Sequence, residues 1–154
     1  MKAILIALFV ALLMVGCGES SQPSEDVDTT DTETKVVPLL LLWKKNDNNQ
    51  TLYGTSIFTG LGVSLRNNGT KICEVNYKNG RIDGPSIGWY ENGRKRFESN
   101  YKDGKLMEAL SWKPNGERCR KTYVREGNGV WVSYDEYGKI IRRTTYKDGK
   151  ELVW

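Results

Sequence analysis

The sequence contains no histidine, and this absence narrows the chemistry open to the protein. Histidine is the side chain most often used as a general base near neutral pH, and it is the commonest metal ligand. The three cysteines form no CxxC pair, and no acidic segment resembles an EF-hand loop. No phosphate-binding glycine loop is present either. We therefore expect a protein that is not an enzyme and that uses neither a cofactor nor a metal.

Long apolar runs are also missing, apart from one at the start of the chain. Residues 3–15 are apolar and follow Lys2. This run is shorter than the roughly 20 residues that a membrane span needs, but it has the length of a signal peptide. It ends in Met14-Val15-Gly16-Cys17, which resembles a lipobox. The resemblance implies that residues 1–16 are removed and that Cys17 is lipidated and anchors the chain to a membrane.

An acidic segment follows the cysteine, and a basic remainder follows that segment. Residues 18–34 contain six acids and no base, whereas from Lys35 onward bases outnumber acids by nine. A polar stretch of this kind is typical of a disordered tether. We therefore divide the chain into a signal peptide (1–16), a lipidated cysteine with an acidic tether (17–35) and a basic domain (36–154). The basic domain suggests an anionic neighbour, although a well-solvated, charge-rich surface would have the same balance.

The domain repeats itself about every 23 residues. Tyrosines recur in phase at Tyr53, Tyr77, Tyr101, Tyr123 and Tyr146. Six Asn-Gly or Asp-Gly pairs lie between β-prone runs and begin at Asn68, Asn79, Asn92, Asp103, Asn115 and Asp148. Such pairs tolerate the positive φ of tight hairpin turns. The fixed period indicates a repeat architecture, in which the repeat starting at Tyr53 has lost its first turn and Trp43 marks the first strand.

The runs between the turns alternate between two faces. Cys73, Val75 and Tyr77 share one face, and Phe97, Ser99 and Tyr101 share it one repeat later. Cys119 and Tyr123 are expected to face inward in the next repeat. Because period two is typical of half-buried strands, we predict an all-β fold. It should be an elongated antiparallel meander of β-hairpin repeats in a single curled sheet of roughly 9 or 10 strands, with no helix longer than a turn between residues 53 and 154.

The clearest repeat resembles a known one. Residues 77–93 read Tyr-Lys-Asn-Gly-Arg-Ile-Asp-Gly-Pro-Ser-Ile-Gly-Trp-Tyr-Glu-Asn-Gly, which is similar to the MORN-repeat variant of the bacterial YwqK-type family. The resemblance covers about residues 53–154 and departs from the pattern at Met107-Glu108, where a mid-repeat glycine is missing. It implies a binding or scaffolding module, in some cases associated with membranes. Members of this family are often labelled antitoxins.

Cys73 and Cys119 occupy the same position two repeats apart. In a meander this spacing equals four strands, or about 19 Å at ~4.8 Å per strand. A disulfide requires Cα atoms within about 7 Å of each other. We therefore predict that both thiols are reduced and fill space in the core.

Two surfaces are candidates for binding. Counting from the tyrosines places a basic stripe on the outward face, formed by Arg94, Arg96, Arg118, Arg120, Lys139 and Arg143. This stripe would suit anionic lipid or an acidic protein, unless it is simply a solvated face. An aromatic ladder of Trp89, Trp112 and Tyr134 would suit a carbohydrate or peptide, unless it is the packed face of the sheet.

The function predicted from these patterns is that of a lipid-anchored protein of the bacterial cell envelope, at the outer membrane if the organism is Gram-negative. Its MORN-like repeats would bind or scaffold another protein or an anionic envelope surface. The alternative is an antitoxin or immunity-type protein that neutralises a toxin partner. We expect neither a nucleic-acid partner nor a small-molecule substrate.

Overall fold

Strands account for nearly all of the regular structure in the computed structural model, which describes residues 34–42 and 45–153. The predicted signal peptide, Cys17 and Trp43 lie outside these residues, as does all but the end of the predicted tether. In chain order the strands are β1 (Val36–Pro38), β2 (Leu52–Tyr53), β3 (Ser56–Ile57), β4 (Gly60–Leu65), β5 (Lys71–Lys78), β6 (Arg81–Trp89), β7 (Lys95–Lys102), β8 (Lys105–Ser111), β9 (Tyr123–Arg125), β10 (Asn128–Tyr134), β11 (Ile140–Lys147) and β12 (Lys150–Glu151). One 3₁₀ turn, Leu39–Leu41, follows β1.

The strands confirm the predicted meander. Ten of them form one sheet in the order β1-β4-β5-β6-β7-β8-β9-β10-β11-β12. Neighbours from β4 to β12 are antiparallel, whereas β1 runs parallel to β4. The separate pair β2–β3 is a hairpin around Gly54. The expectation that the first repeat had lost its first turn is therefore wrong, because a Gly54-Thr55 turn takes its place.

The hairpin turns of the ten-stranded sheet fall into two classes, and the two classes lie at opposite ends of its strands. Tight two-residue turns have positive φ at both positions: Asn79-Gly80, Asp103-Gly104, Glu126-Gly127 and Asp148-Gly149. At the other end only the glycine of each Asn-Gly pair has positive φ. There the asparagine Oδ1 accepts the backbone N–H two residues later, at Asn68, Asn92 and Asn115. The expectation that all six pairs form the same tight turn is thus wrong for three of them, because an Asx hydrogen bond holds these asparagines in a wider loop.

The main core lies on the predicted inward face. Leu106, Ala109 and Val124 are buried there, with half-buried Tyr101, Trp131 and Tyr146 packed around them. The rings of Phe97 and Trp131 meet with centroids 5.4 Å apart, although β7 and β10 are three strand spacings apart. In a flat sheet that separation would be about 14 Å. The contact therefore fits a sheet that curves toward this face.

A second core closes the N-terminal edge of the sheet. Val37, Leu42 and Phe58 are buried together, and Leu39, Tyr53 and Tyr77 pack against them. Gly62 of β4 makes this packing possible, because a Cβ at that position would collide with the Leu39 side chain. No helix among the described residues is long and apolar enough to cross a membrane.

The predicted inward pair Cys119 and Tyr123 is only half right. Cys119 is buried, but Tyr123 is 60% exposed and its neighbour Val124 enters the core instead. The reason is a turn in which the N–H of Thr122 bonds the carbonyl of Cys119 at 3.3 Å. Because β9 begins only after this turn, its alternation is out of phase with the residues before it. Cys119 therefore does not occupy a strand position equivalent to that of Cys73.

Candidate functional site

A cleft of about 380 Å³ opens beside the segment that joins β8 to β9 and the turn that joins β10 to β11. Four basic side chains line it, and we call it the basic cleft: Lys113, Arg118, Arg120 and Lys121. Glu117 is the one acid in its lining. The β8–β9 segment supplies all four bases. It first folds back on itself, so that Arg118 pairs with Trp112 in an isolated bridge, and it leaves the ladder only in the turn that starts at Cys119 and contains Arg120 and Lys121.

The positive charge of the basic cleft is mostly uncompensated. Lys113 Nζ lies 2.9 Å from Glu117 Oε2, and this ammonium lowers the pKa of the Glu117 carboxyl. Arg118, Arg120 and Lys121 form no ion pair with any residue that the structure describes. Like charges gathered in a concave surface raise the local concentration of anions. The cleft is therefore suited to an anionic group.

A buried hydroxyl pair attaches the cleft segment to the sheet. The N–H of Val132 donates to Thr122 Oγ1 at 2.9 Å, and Ser111 Oγ donates to the carbonyl oxygen of Val132 at 2.8 Å. The two hydroxyl oxygens are 2.7 Å apart. Ser111 and Thr122 are each only 2% exposed. These bonds satisfy the backbone of β10 where β9 no longer pairs with it, and they fix the start of β9 in place.

Tyr134 and Cys119 lie on the inner side of the same cleft. Tyr134 OH donates to Cys119 Sγ at 3.0 Å, and burial together with this bond raises the pKa of Tyr134 to about 12. Burial raises the pKa of the Cys119 thiol, but hydrogen bonds from Tyr134, Thr122 and the backbone outweigh it, so that the net shift is downward. Because Cys119 is 3% exposed, we assign it to packing. Cys119 and Cys73 are both free thiols in this structure.

The structure separates the predicted basic stripe. Arg118 and Arg120 share the basic cleft, and Arg94 lies next to it because its Nη1 donates to the carbonyl of Pro114 at 3.3 Å. The Arg96 guanidinium instead lies over the ring of Tyr90, 5.7 Å from its centroid. Lys139 ends the β10–β11 turn, and Arg143 lies on β11 opposite Val132.

The predicted aromatic ladder does not form a continuous surface. The ammonium groups of Lys71 and Lys95 lie over the rings of Trp89 and Trp112, at 5.6 Å and 5.3 Å from their centroids. Tyr134 is only 5% exposed. No ring contact joins the three residues within the described part of the chain. A ligand would have to displace a lysine at each tryptophan and would find almost none of Tyr134 accessible, so the ladder does not form the open platform that the sequence suggested.

Lys113 and Lys121 were not recognised as site residues from the sequence, and neither were the anchoring hydroxyls of Ser111 and Thr122. One signal for the bases was available, since Arg118, Arg120 and Lys121 follow one another within four positions. Within the described residues no group of three or more Cys, Asp or Glu side chains is placed to hold a metal. What the lining of the cleft offers is a cluster of basic side chains.

In comparisons with known proteins, no protein-family model, no curated protein and no solved structure matches this chain.

Proposed function

We propose that this protein is a non-catalytic binding module of the bacterial cell envelope, held at a membrane by a lipid on Cys17. In this proposal the basic cleft binds the anionic surface of that membrane. The observation that carries it is the convergence of Arg118, Arg120 and Lys121 in one cleft, where the single lining acid, Glu117, forms its ion pair with Lys113.

The size of the effect follows from the number of bases. One lysine or arginine near an anionic surface contributes about 1 kcal/mol, which is a factor of about five in partitioning. Three such bases would together raise partitioning by roughly a hundredfold if their contributions add. A lipid anchor would hold the cleft close to the membrane surface. The effective concentration of the cleft there would be high, so that even a weak contact would keep the cleft bound.

The test is a vesicle co-sedimentation experiment with a chain that starts at Gly18, so that the lipid anchor cannot dominate binding. Vesicles of a neutral phospholipid are compared with vesicles that also contain an anionic one. We expect binding to the anionic vesicles alone, and loss of this binding in the triple variant Arg118→Glu/Arg120→Glu/Lys121→Glu. Moderate salt should have the same effect, because the Debye length falls to about 8 Å at physiological ionic strength.

A matched control separates location from total charge. Lys78, Arg125 and Lys147 are exposed and lie outside the basic cleft. Reversing these three changes the net charge by the same amount and should leave most of the binding intact. Equal loss in both triple variants would show that only the overall charge matters, and a wild-type chain that ignores anionic vesicles at low salt would refute the proposal.

A further inference from the structure

A second basic pocket lies at the opposite end of the sheet from the basic cleft, beside the tight turns. Its volume is about 580 Å³, and residues 45–51 form one of its walls. Three lysines from distant segments line it: Lys45, Lys105 and Lys150. None of them forms an ion pair with a residue that the structure describes, whereas Arg81, which also lines the pocket, bonds both carboxylate oxygens of Asp103. We propose that this pocket binds a sugar that carries an anionic group.

The wall formed by residues 45–51 is held in place by contacts with the β5–β6 turn. A Cβ on Gly80 would lie 2.6 Å from Gln50 Cβ and 2.9 Å from Thr51 N, so residues 50–51 rest directly on the β5–β6 turn. The N–H of Thr51 donates to the carbonyl of Gly80 at 2.7 Å, and Gln50 Nε2 donates to the carbonyl of Asn79 at 3.1 Å. The segment that carries Lys45 is therefore tied to the turn.

The same segment is also closed on itself. Asn46 Oδ1 accepts the N–H groups of Asn48 and Gln50, at 3.1 Å and 2.9 Å. Asn46 Nδ2 donates in turn to Gln50 Oε1 at 3.0 Å. These bonds give the loop a defined shape before any ligand arrives, which lowers the entropic cost of binding.

The lining selects the class of ligand. Three ammonium groups call for a negative charge, while the side-chain amides of Asn48 and Asn49 offer donors and acceptors for hydroxyl groups. Tyr77 and Ile82 supply an aromatic and an aliphatic surface on which the C–H face of a sugar ring can lie. The volume falls within the roughly 300–1,000 Å³ of small-molecule sites. An acidic sugar meets all of these conditions, whereas an inorganic ion would use only the lysines.

The experiment is isothermal titration calorimetry on the full chain in a neutral detergent, with four probes. Glucose 6-phosphate and glucuronate carry the two common anionic groups, glucose carries none, and inorganic phosphate lacks the sugar. We expect at least one anionic sugar to bind, and to bind at least tenfold more tightly than both glucose and phosphate. The tighter of the two anionic sugars identifies the source of the charge. If glucose or inorganic phosphate bound as tightly as the better anionic sugar, the proposal would be overturned.

Single neutralisations locate the site. Lys45→Gln, Lys105→Gln and Lys150→Gln should each weaken binding of the tighter sugar about fivefold, the factor expected for a strong exposed charge pair. Lys147→Gln is the matched control, since Lys147 pairs with Lys150 across the β11–β12 turn but does not line the pocket. Equal loss in the control would refute the assignment. Sugar binding should persist in the basic-cleft triple variant, and its loss there would place the sugar in the basic cleft instead.

Discussion

Replacing Thr122 by valine tests the hydroxyl pair that attaches the basic cleft to the sheet. Valine keeps the shape of threonine but removes Oγ1. The backbone N–H of Val132 would then lose the acceptor that it reaches at 2.9 Å, and Ser111 would lose the hydroxyl that lies 2.7 Å away. No water can replace Oγ1 without rearrangement, because Thr122 and Ser111 are 2% exposed and Val132 is fully buried.

The expected loss follows from the groups left unpaired. A buried N–H that loses its partner costs about 1–3 kcal/mol, and the second, hydroxyl–hydroxyl bond contributes about 1 kcal/mol. We therefore expect Thr122→Val to lower the free energy of unfolding by about 2–4 kcal/mol. Glu33–Trp154 form one compact unit. At ~2.1 cal/mol/K per residue, a unit of about 120 residues has an unfolding entropy of ~0.25 kcal/mol/K, so that Tm should fall by roughly 8–16 °C.

Thermal and urea unfolding followed by circular dichroism measure this loss. The control is Thr145→Val, because Thr145 is half-buried on β11 and its hydroxyl makes no hydrogen bond to any described residue. It should change stability by no more than about 0.5 kcal/mol. Similar losses in the two variants would refute the assigned role of Thr122. Hydrogen exchange should also show that the amide of Val132 loses protection in Thr122→Val before the rest of β10 does.

Three further predictions concern the anchor, the thiols and the alkaline limit of stability. Cys17→Ala should leave an unprocessed or soluble product, and membrane retention with normal processing would contradict lipidation. Cys73 and Cys119 should both be reduced in the folded protein, so thiol titration without reductant should find two free thiols, and a disulfide between them in the monomer would contradict the spacing of the strands. Burial raises the pKa of Tyr101 to about 12, above its unfolded value near 10. Stability should therefore hold below about pH 10 and fall as the pH rises toward 12, and Tyr101→Phe should reduce that fall in alkaline urea titrations.

The fold was largely predictable from the sequence, because the same pattern of strand and turn residues recurs several times. Alternation placed Phe97, Ser99 and Tyr101 on the inward face, and the structure confirms this. The tight turn at Glu126-Gly127 was missed, since glutamate rarely adopts positive φ and the adjacent Asn-Gly pair, Asn128-Gly129, belongs to strand β10 and not to the turn. Its geometry depends on a contact distant in sequence, because a Cβ on Gly127 would lie 2.5 Å from the backbone nitrogen of Gly149. Such a requirement is invisible in a local pattern.

The two kinds of Asn-Gly turn were indistinguishable for a related reason. Asn79-Gly80 and Asn92-Gly93 have the same residues, yet only the first has positive φ at the asparagine. In the second, Asn92 Oδ1 accepts the N–H of Arg94 and Asn92 Nδ2 donates to the carbonyl of Pro114 in the next repeat. The neighbouring turn therefore helps to select the conformation. The dipeptide alone predicts a turn but not its class.

The repeat pattern did not predict the basic cleft, because the cleft lies where the period is broken. The spacing from Tyr101 to Tyr123 is two residues shorter than the two spacings before it, and the mid-repeat glycine is replaced at Met107-Glu108. A regular strand over residues 118–123 would have alternated Arg118 and Arg120 outward, as the stripe predicted. The turn at Cys119–Thr122 instead brings Lys121 beside them, while Thr122 is drawn into the sheet. Residues that must leave the ladder can no longer share strand hydrogen bonds, and here side-chain hydroxyls supply those bonds. The regular repeats thus form the sheet, and the irregular repeat brings the basic side chains together in one cleft.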